Sequence, residues 1–174
     1  MPPENYIFSE IQKFINTWVG YIVLLLGFAT VVLSGASLIF HGIDSTVHNS
    51  DLYITFLLSL AVGVLIVGLI WFARLEVYLN NDGIFYRFLP FIFNFKNIKL
   101  AEIETYNFRK YSPIFEYGGW GIRFAFKNGW AFNVSGNMGL QIVKKDKKRI
   151  LFGTQKPNEF FMALESLIKN RKQG

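Results

Sequence analysis

Cysteine is absent from the 174 residues, which removes disulfides, a thiol nucleophile, iron–sulfur clusters and cysteine-ligated zinc. Histidine is nearly absent, since His41 and His48 are the only two and both precede residue 74. From residue 74 onward the commonest general base and the thiol nucleophile are therefore both missing, and enzymatic chemistry has little to stand on. Charge is also scarce, at 17% against about 25% in an ordinary soluble domain. Its distribution matters more than its amount. No charged residue lies between Phe14 and Phe40, and none between Leu52 and Ala73. Intrinsic disorder is excluded, because 19 Phe, eight Tyr and four Trp leave ample apolar surface to bury.

The two uncharged runs are long enough to matter. A bilayer core about 30 Å thick needs ~20 helical residues, and residues 18–40 and 52–73 each meet that length. Trp18 and Tyr21 at one end, with Trp71 and Phe72 at the other, suit the aromatic belts of two interfaces. Two buried helices of a soluble bundle would carry a polar stripe, and neither run has one. A cleaved signal peptide fits poorly, since the apolar stretch is too long and Lys13 is offset by Glu4 and Glu10. One basic residue precedes the first run, none lies in the loop 41–51, and 17 follow the second. The positive-inside rule then predicts a helical hairpin with both termini in the cytoplasm and the loop outside. Thr30 and Ser34, and Ser59 and Gly63, would let the helices approach closely.

The expected division is therefore residues 1–73, an N-terminal segment with two spans, and residues 74–174, a cytoplasmic domain. The second part carries 17 basic and eight acidic residues, a net charge of +9. Period-2 alternation runs through most of it. Strands are expected at 75–79, Ile84–Leu89, Ile103–Lys110, 122–126, 130–134, a segment from Leu140, and Arg149–Phe152. Turns at Asn81-Asp82-Gly83, Asn128-Gly129 and Gly136-Asn137 punctuate them. Beyond Gly153, Pro157 opens a helix, Glu159 sits in its first turn, and Lys169, Arg171 and Lys172 load its last.

Seven strands followed by one amphipathic helix is the order of the pleckstrin-homology superfold. The stretches EYGGWGIRF (Glu116–Phe124), GWAFNVSGNMGLQI (Gly129–Ile142) and KRILFGTQKPNEF (Lys148–Phe160) resemble bacterial two-span membrane proteins with a pleckstrin-homology-like domain. The resemblance implies a seven-stranded barrel closed by the C-terminal helix, in a bacterial plasma (inner) membrane. It implies no activity. Phosphoinositide-binding members use basic residues around the first hairpin, whereas here that hairpin is Asn80-Asn81-Asp82-Gly83.

The sharpest local feature is the basic cluster Lys144, Lys145, Lys147, Lys148 and Arg149. Strand parity predicts that the connections Pro90–Lys96, Lys127–Gly129 and Lys144–Lys148 share the end nearest the bilayer, with Asp82 and Glu116 at the other. Phe91, Ile92, Phe93, Lys96, Lys127 and the basic cluster would then form a lipid-facing surface suited to an anionic leaflet, at ~1 kcal/mol per basic residue. The alternative is that the aromatics are barrel core and the lysines a solvated turn. Glu102 and Glu104 read as a solvated strand face. His41, Asp44, His48 and Asp51 match no metal-ligand spacing, and no catalytic residue, metal or cofactor is expected.

The expected function is a non-enzymatic scaffold or self-assembling module at the membrane. Alternatives are an anionic-lipid or envelope sensor and an accessory subunit of a transporter. The bilayer, anionic lipids, a second copy or a membrane-protein partner are the expected contacts. Nucleic acid is not, because the leaflet is the nearer anion.

Overall fold

A computed structural model describes residues 5–41 and 49–173, in two compact units. The smaller, residues 14–73, contains α1 (Trp18–His41) and α2 (Asn49–Phe72). Each has a 23-residue stretch, mean hydropathy 2.4 and 2.6, long and apolar enough to cross a membrane. Only 6% of the most apolar 18-residue window of either helix is buried. The helices meet through a Ser34–Ser59 hydroxyl contact at 2.6 Å, while Thr30 turns back to the Gly27 carbonyl. A Cβ on Gly63 would lie 2.9 Å from Val31 Cγ2, so glycine sets this close approach. Asp44 and His48 fall outside the described residues, as does the side chain of His41.

The larger unit is mainly β. It comprises β1 (Phe8–Lys13), β2 (Arg74–Leu79), β3 (Gly83–Leu89), β4 (Ile92–Lys99), β5 (Ile103–Lys110), α3 (Pro113–Tyr117), β6 (Gly121–Ala125), β7 (Gly129–Asn133), β8 (Met138–Lys144), β9 (Arg149–Gly153) and α4 (Pro157–Gln173). The first sheet has order β1-β2-β3-β4, and the second β5-β8-β9-β7-β6 with a parallel β7–β9 pair. The expectation of seven strands in one barrel is corrected on two counts: there are nine described strands, and they form two sheets with no closed barrel. The added strands are β1 and β4.

Strand β1 also changes the domain boundary. It pairs antiparallel with β2, from Phe8↔Leu79 to Lys13↔Arg74, so the segment before the helices belongs to the β unit. The expected division at residue 73 is thus incomplete. The two helices are an insertion within a β-hairpin, bracketed by Lys13 and Arg74, and the Phe14 N–H donates to the Ala73 carbonyl at 3.0 Å.

The sheets face each other across Tyr86, whose ring lies 4.9 Å from both Phe132 and Phe152. Helix α4 covers one end, stacking Phe160 on Phe8 at 4.4 Å and meeting Phe108 edge-on at 5.5 Å. Such ring pairs add about 0.5–1.5 kcal/mol beyond the area they bury. On the far face of the second sheet, α3 lays Tyr117 beside Tyr111, Ala131 and Leu151 in a small separate core.

Strand β1 is tied down by polar groups on its inward face. Glu10, buried, accepts from the Thr154 hydroxyl at 2.6 Å, the Gln155 N–H at 2.7 Å and Gln12 Nε2 at 3.0 Å. Gln12 also donates to the Gly153 carbonyl at 2.7 Å. Burial raises the Glu10 carboxyl above its usual range despite these donors. A carboxyl with a raised folded-state pKa favours the fold most when protonated. Its contribution is complete below about pH 4 and is lost as pH rises through the raised value. Glu10→Gln keeps the size and removes the titration. We expect the melting temperature of the wild-type chain to fall relative to Glu10→Gln as pH rises from about 4 to 7. A difference that is flat in pH would refute the assignment.

Candidate basic and aromatic groove

The predicted surface residues do not gather at one end. Phe91 follows the cis Leu89–Pro90 peptide, and Ile92, Phe93 and Lys96 lie on β4, with Phe91 and Phe93 exposed. This group sits at the Arg74 end of the first sheet, where Arg74 pairs with Leu89. Strand β4 then runs away from that end and inverts the parity of every later turn. The Lys145 N–H donates to the Glu102 carbonyl at 2.9 Å, and the Leu100 N–H to the Asp82 carbonyl at 3.3 Å. The basic hairpin therefore lies at the Asp82 end of the unit, with Lys127 beside it. The expectation that it shares an end with the Pro90 connection is corrected.

What does assemble there is an open groove of about 670 Å³ between the β6–β7 and β8–β9 turns. One wall carries Phe124, Phe126 and Trp130, and the other Lys147, Lys148 and Arg149, with Lys127 at the turn. The β6–β7 turn is built by local chemistry. The Asn128 N–H donates to the Ala125 carbonyl at 3.1 Å, and Gly129 follows at φ 77°. Residues 126–128 thus link the strands, and the left-handed position falls on the first residue of β7, where glycine carries no Cβ penalty. Arg149 Nη1 donates to the Lys127 carbonyl at 2.9 Å and joins the two turns.

The aromatic wall is continuous with the core. Phe126 to Phe124, Phe124 to Trp130, and Trp130 to Phe132 are centroid steps of 5.7, 5.2 and 6.4 Å. Exposure rises outward, from 46% at Trp130 to 53% at Phe124 and 99% at Phe126. The cations are partly compensated from outside the groove. Lys147 reaches Glu104 at 2.6 Å, Lys148 reaches Asp146 at 3.0 Å, and Lys144 reaches Glu102 at 3.0 Å. The Glu102 hydrogen bond raises the Lys144 pKa, so that ammonium stays charged. Glu102 and Glu104 are thus ion-pair partners of the basic hairpin. Lys127 and Lys145 have no carboxylate partner among the described residues.

Arg149 also lines a smaller polar cleft, about 320 Å³, with Arg109, Glu116, Asn128 and Gln141. Arg109 donates to Glu116 at 2.7 Å and to Gln141 Oε1 at 3.1 Å, and it holds the Glu116 carboxyl below its ordinary range. Sequence reasoning passed over this network because α3, which delivers Glu116, is only five residues long. Phe124 and Trp130 fall in the alternation of two expected strands, 122–126 and 130–134. Their flanking of a turn that holds Lys127 was the available signal. Among the described residues no cluster of three His, Asp or Glu could hold a metal.

No family model, curated protein or solved structure matches this chain. The groove is accordingly interpreted from its own chemistry.

Gly129 is the position on which its shape depends most. A Cβ there would run into the Arg149 carbonyl oxygen, and φ 77° disfavours any side chain. Gly129→Ala should destabilise the β unit by about 2 kcal/mol or more, read as a fall in melting temperature. The same change at Gly136, also at positive φ but with nothing within 4 Å, should cost less. Equal losses would refute the steric part of the argument.

Proposed function

We propose that this chain is a two-span membrane protein that holds a non-enzymatic interaction module at the bilayer, on the side where both its termini lie. The observation that carries this is the β1–β2 pairing across the insertion. Lys13 and Arg74 are cross-strand partners, so a hairpin that crosses a membrane must leave and re-enter the module on the same face of the bilayer. The excess of basic residues after the second helix favours the cytoplasmic face of a plasma membrane. Interaction is favoured over catalysis because the surface carries an open groove of aromatics and cations. The pleckstrin-homology-like resemblance belongs to this reading as a fold-level analogy, supported by two sheets followed by one packed helix.

The natural absence of cysteine makes the test clean. Ile7→Cys and Met162→Cys introduce thiols at exposed positions of β1's approach and of α4. Ser45→Cys places one between the helices. With a membrane-impermeant maleimide and sealed vesicles of both orientations, Ile7→Cys and Met162→Cys should label from one side and Ser45→Cys from the other. Labelling of Ile7→Cys and Met162→Cys from opposite sides would overturn the proposal, as would Ser45→Cys sharing their side.

A further inference from the structure

The groove adjoins an open sheet edge. Strand β6 is the last in its sheet, paired through Gly121↔Asn133 to Ala125↔Gly129 on one side only among the described residues. An edge strand presents a row of backbone N–H and C=O groups that another strand can pair with. Natural edges are commonly guarded by charge, proline or a bulge, and within β6 the single charged residue is Arg123. Phe124 of β6 and Phe126 in its turn line the groove and leave apolar surface beside the unpaired backbone. The groove lining adds Lys127, Lys147, Lys148 and Arg149 and, among the described residues, no carboxylate.

We infer that β6 and the groove together bind an extended, acidic segment of a partner protein. The segment adds to the β6 edge as a further strand, as in known strand-addition complexes. Every second side chain of it, aromatic or branched apolar, packs on Phe124 and Phe126. Past the end of β6 the segment crosses over the β6–β7 turn into the groove, where its carboxylates meet Lys127, Lys148 and Arg149. Charge complementarity sets the sign of the partner, and the open backbone edge sets its class. A lipid headgroup or a nucleic acid could satisfy the cations, and a base could stack on the rings, but neither supplies the alternating amide donors and acceptors of a strand.

This inference rests on the interaction-module reading and names the partner chemistry of that module. The full chain, in nanodiscs of neutral phosphatidylcholine, is used to select from a displayed library of random short peptides. A parallel selection uses a Phe126→Ser, Lys127→Ser, Lys148→Ser variant, altered only at exposed positions. The expected result is enrichment of Asp and Glu alternating with aromatic or branched residues, lost with the variant. The best peptide should bind the variant about tenfold or more weakly. It should slow amide exchange at residues 121–125 of the wild-type chain.

Enriched peptides with no acidic bias would overturn the inference, as would equal enrichment by the variant or binding that leaves the β6 amides unprotected. So would uridine oligonucleotides or phosphatidylglycerol in the nanodisc displacing the peptide and themselves requiring Phe126 and Lys127. Sidedness is read separately by the cysteine labelling. A same-side labelling result with no acidic enrichment would retire the groove's ligand and leave the anchored module standing.

Discussion

The antiparallel pairing of β1 with β2 is the interaction on which the rest of the architecture depends. It places a strand from before the helices in the same sheet as strands from after them. Without it, the core loses Phe8 from the stack on Phe160, and Leu75, Val77 and Leu79 lose the strand that borders them. The pairing is fastened at a distance by Glu10 and Gln12, which reach the segment Gly153–Gln155 just ahead of α4. First strand and last helix are therefore held by one hydrogen-bonded cluster, although nearly the whole chain separates them.

Much of this was legible in the residues. The two apolar helices, seven of the nine strands and the C-terminal helix follow from uncharged length, period-2 alternation and Asn-Gly or Asp-Gly turns. The strands that escaped are informative. In β1 the inward positions are Phe8, Glu10 and Gln12, while Ile11 points outward and is exposed. A hydrophobic period reads such a strand inside out, because the polar groups are made tolerable only by partners some 140 residues away. Strand β4 is an edge whose register with β3 shifts between Tyr86 and Phe88, so its aromatics do not alternate cleanly. Missing that one strand was enough to reverse the inferred direction of the later turns.

The candidate site was legible in part for the same reason. The cations are a run in sequence and stand out without a structure. Their aromatic neighbours do not, since Phe124 and Trp130 belong to the alternation that marks any strand. Only pairing β6, β7 and β9 side by side brings the rings across from Lys147 and Lys148. Buried charge elsewhere shows how such groups look when they serve the fold. Glu76, almost wholly buried, is held by Arg74 at 2.7 Å and Arg87 at 2.9 Å, and Arg87 lies over Phe95 at 4.4 Å. The groove cations lack that enclosure, and Lys127 has no carboxylate partner among the described residues.

The insertion of the helices between β1 and β2 has a consequence for how the chain assembles. Closing a flexible loop of this length would cost several kcal/mol of chain entropy, growing as about (3/2)RT ln n. Here the loop is two packed helices whose outer ends are already neighbours, joined by the Phe14–Ala73 hydrogen bond. Once α1 and α2 associate, the strands they separate are delivered side by side, and the helical pair serves as an oversized but preformed reverse turn.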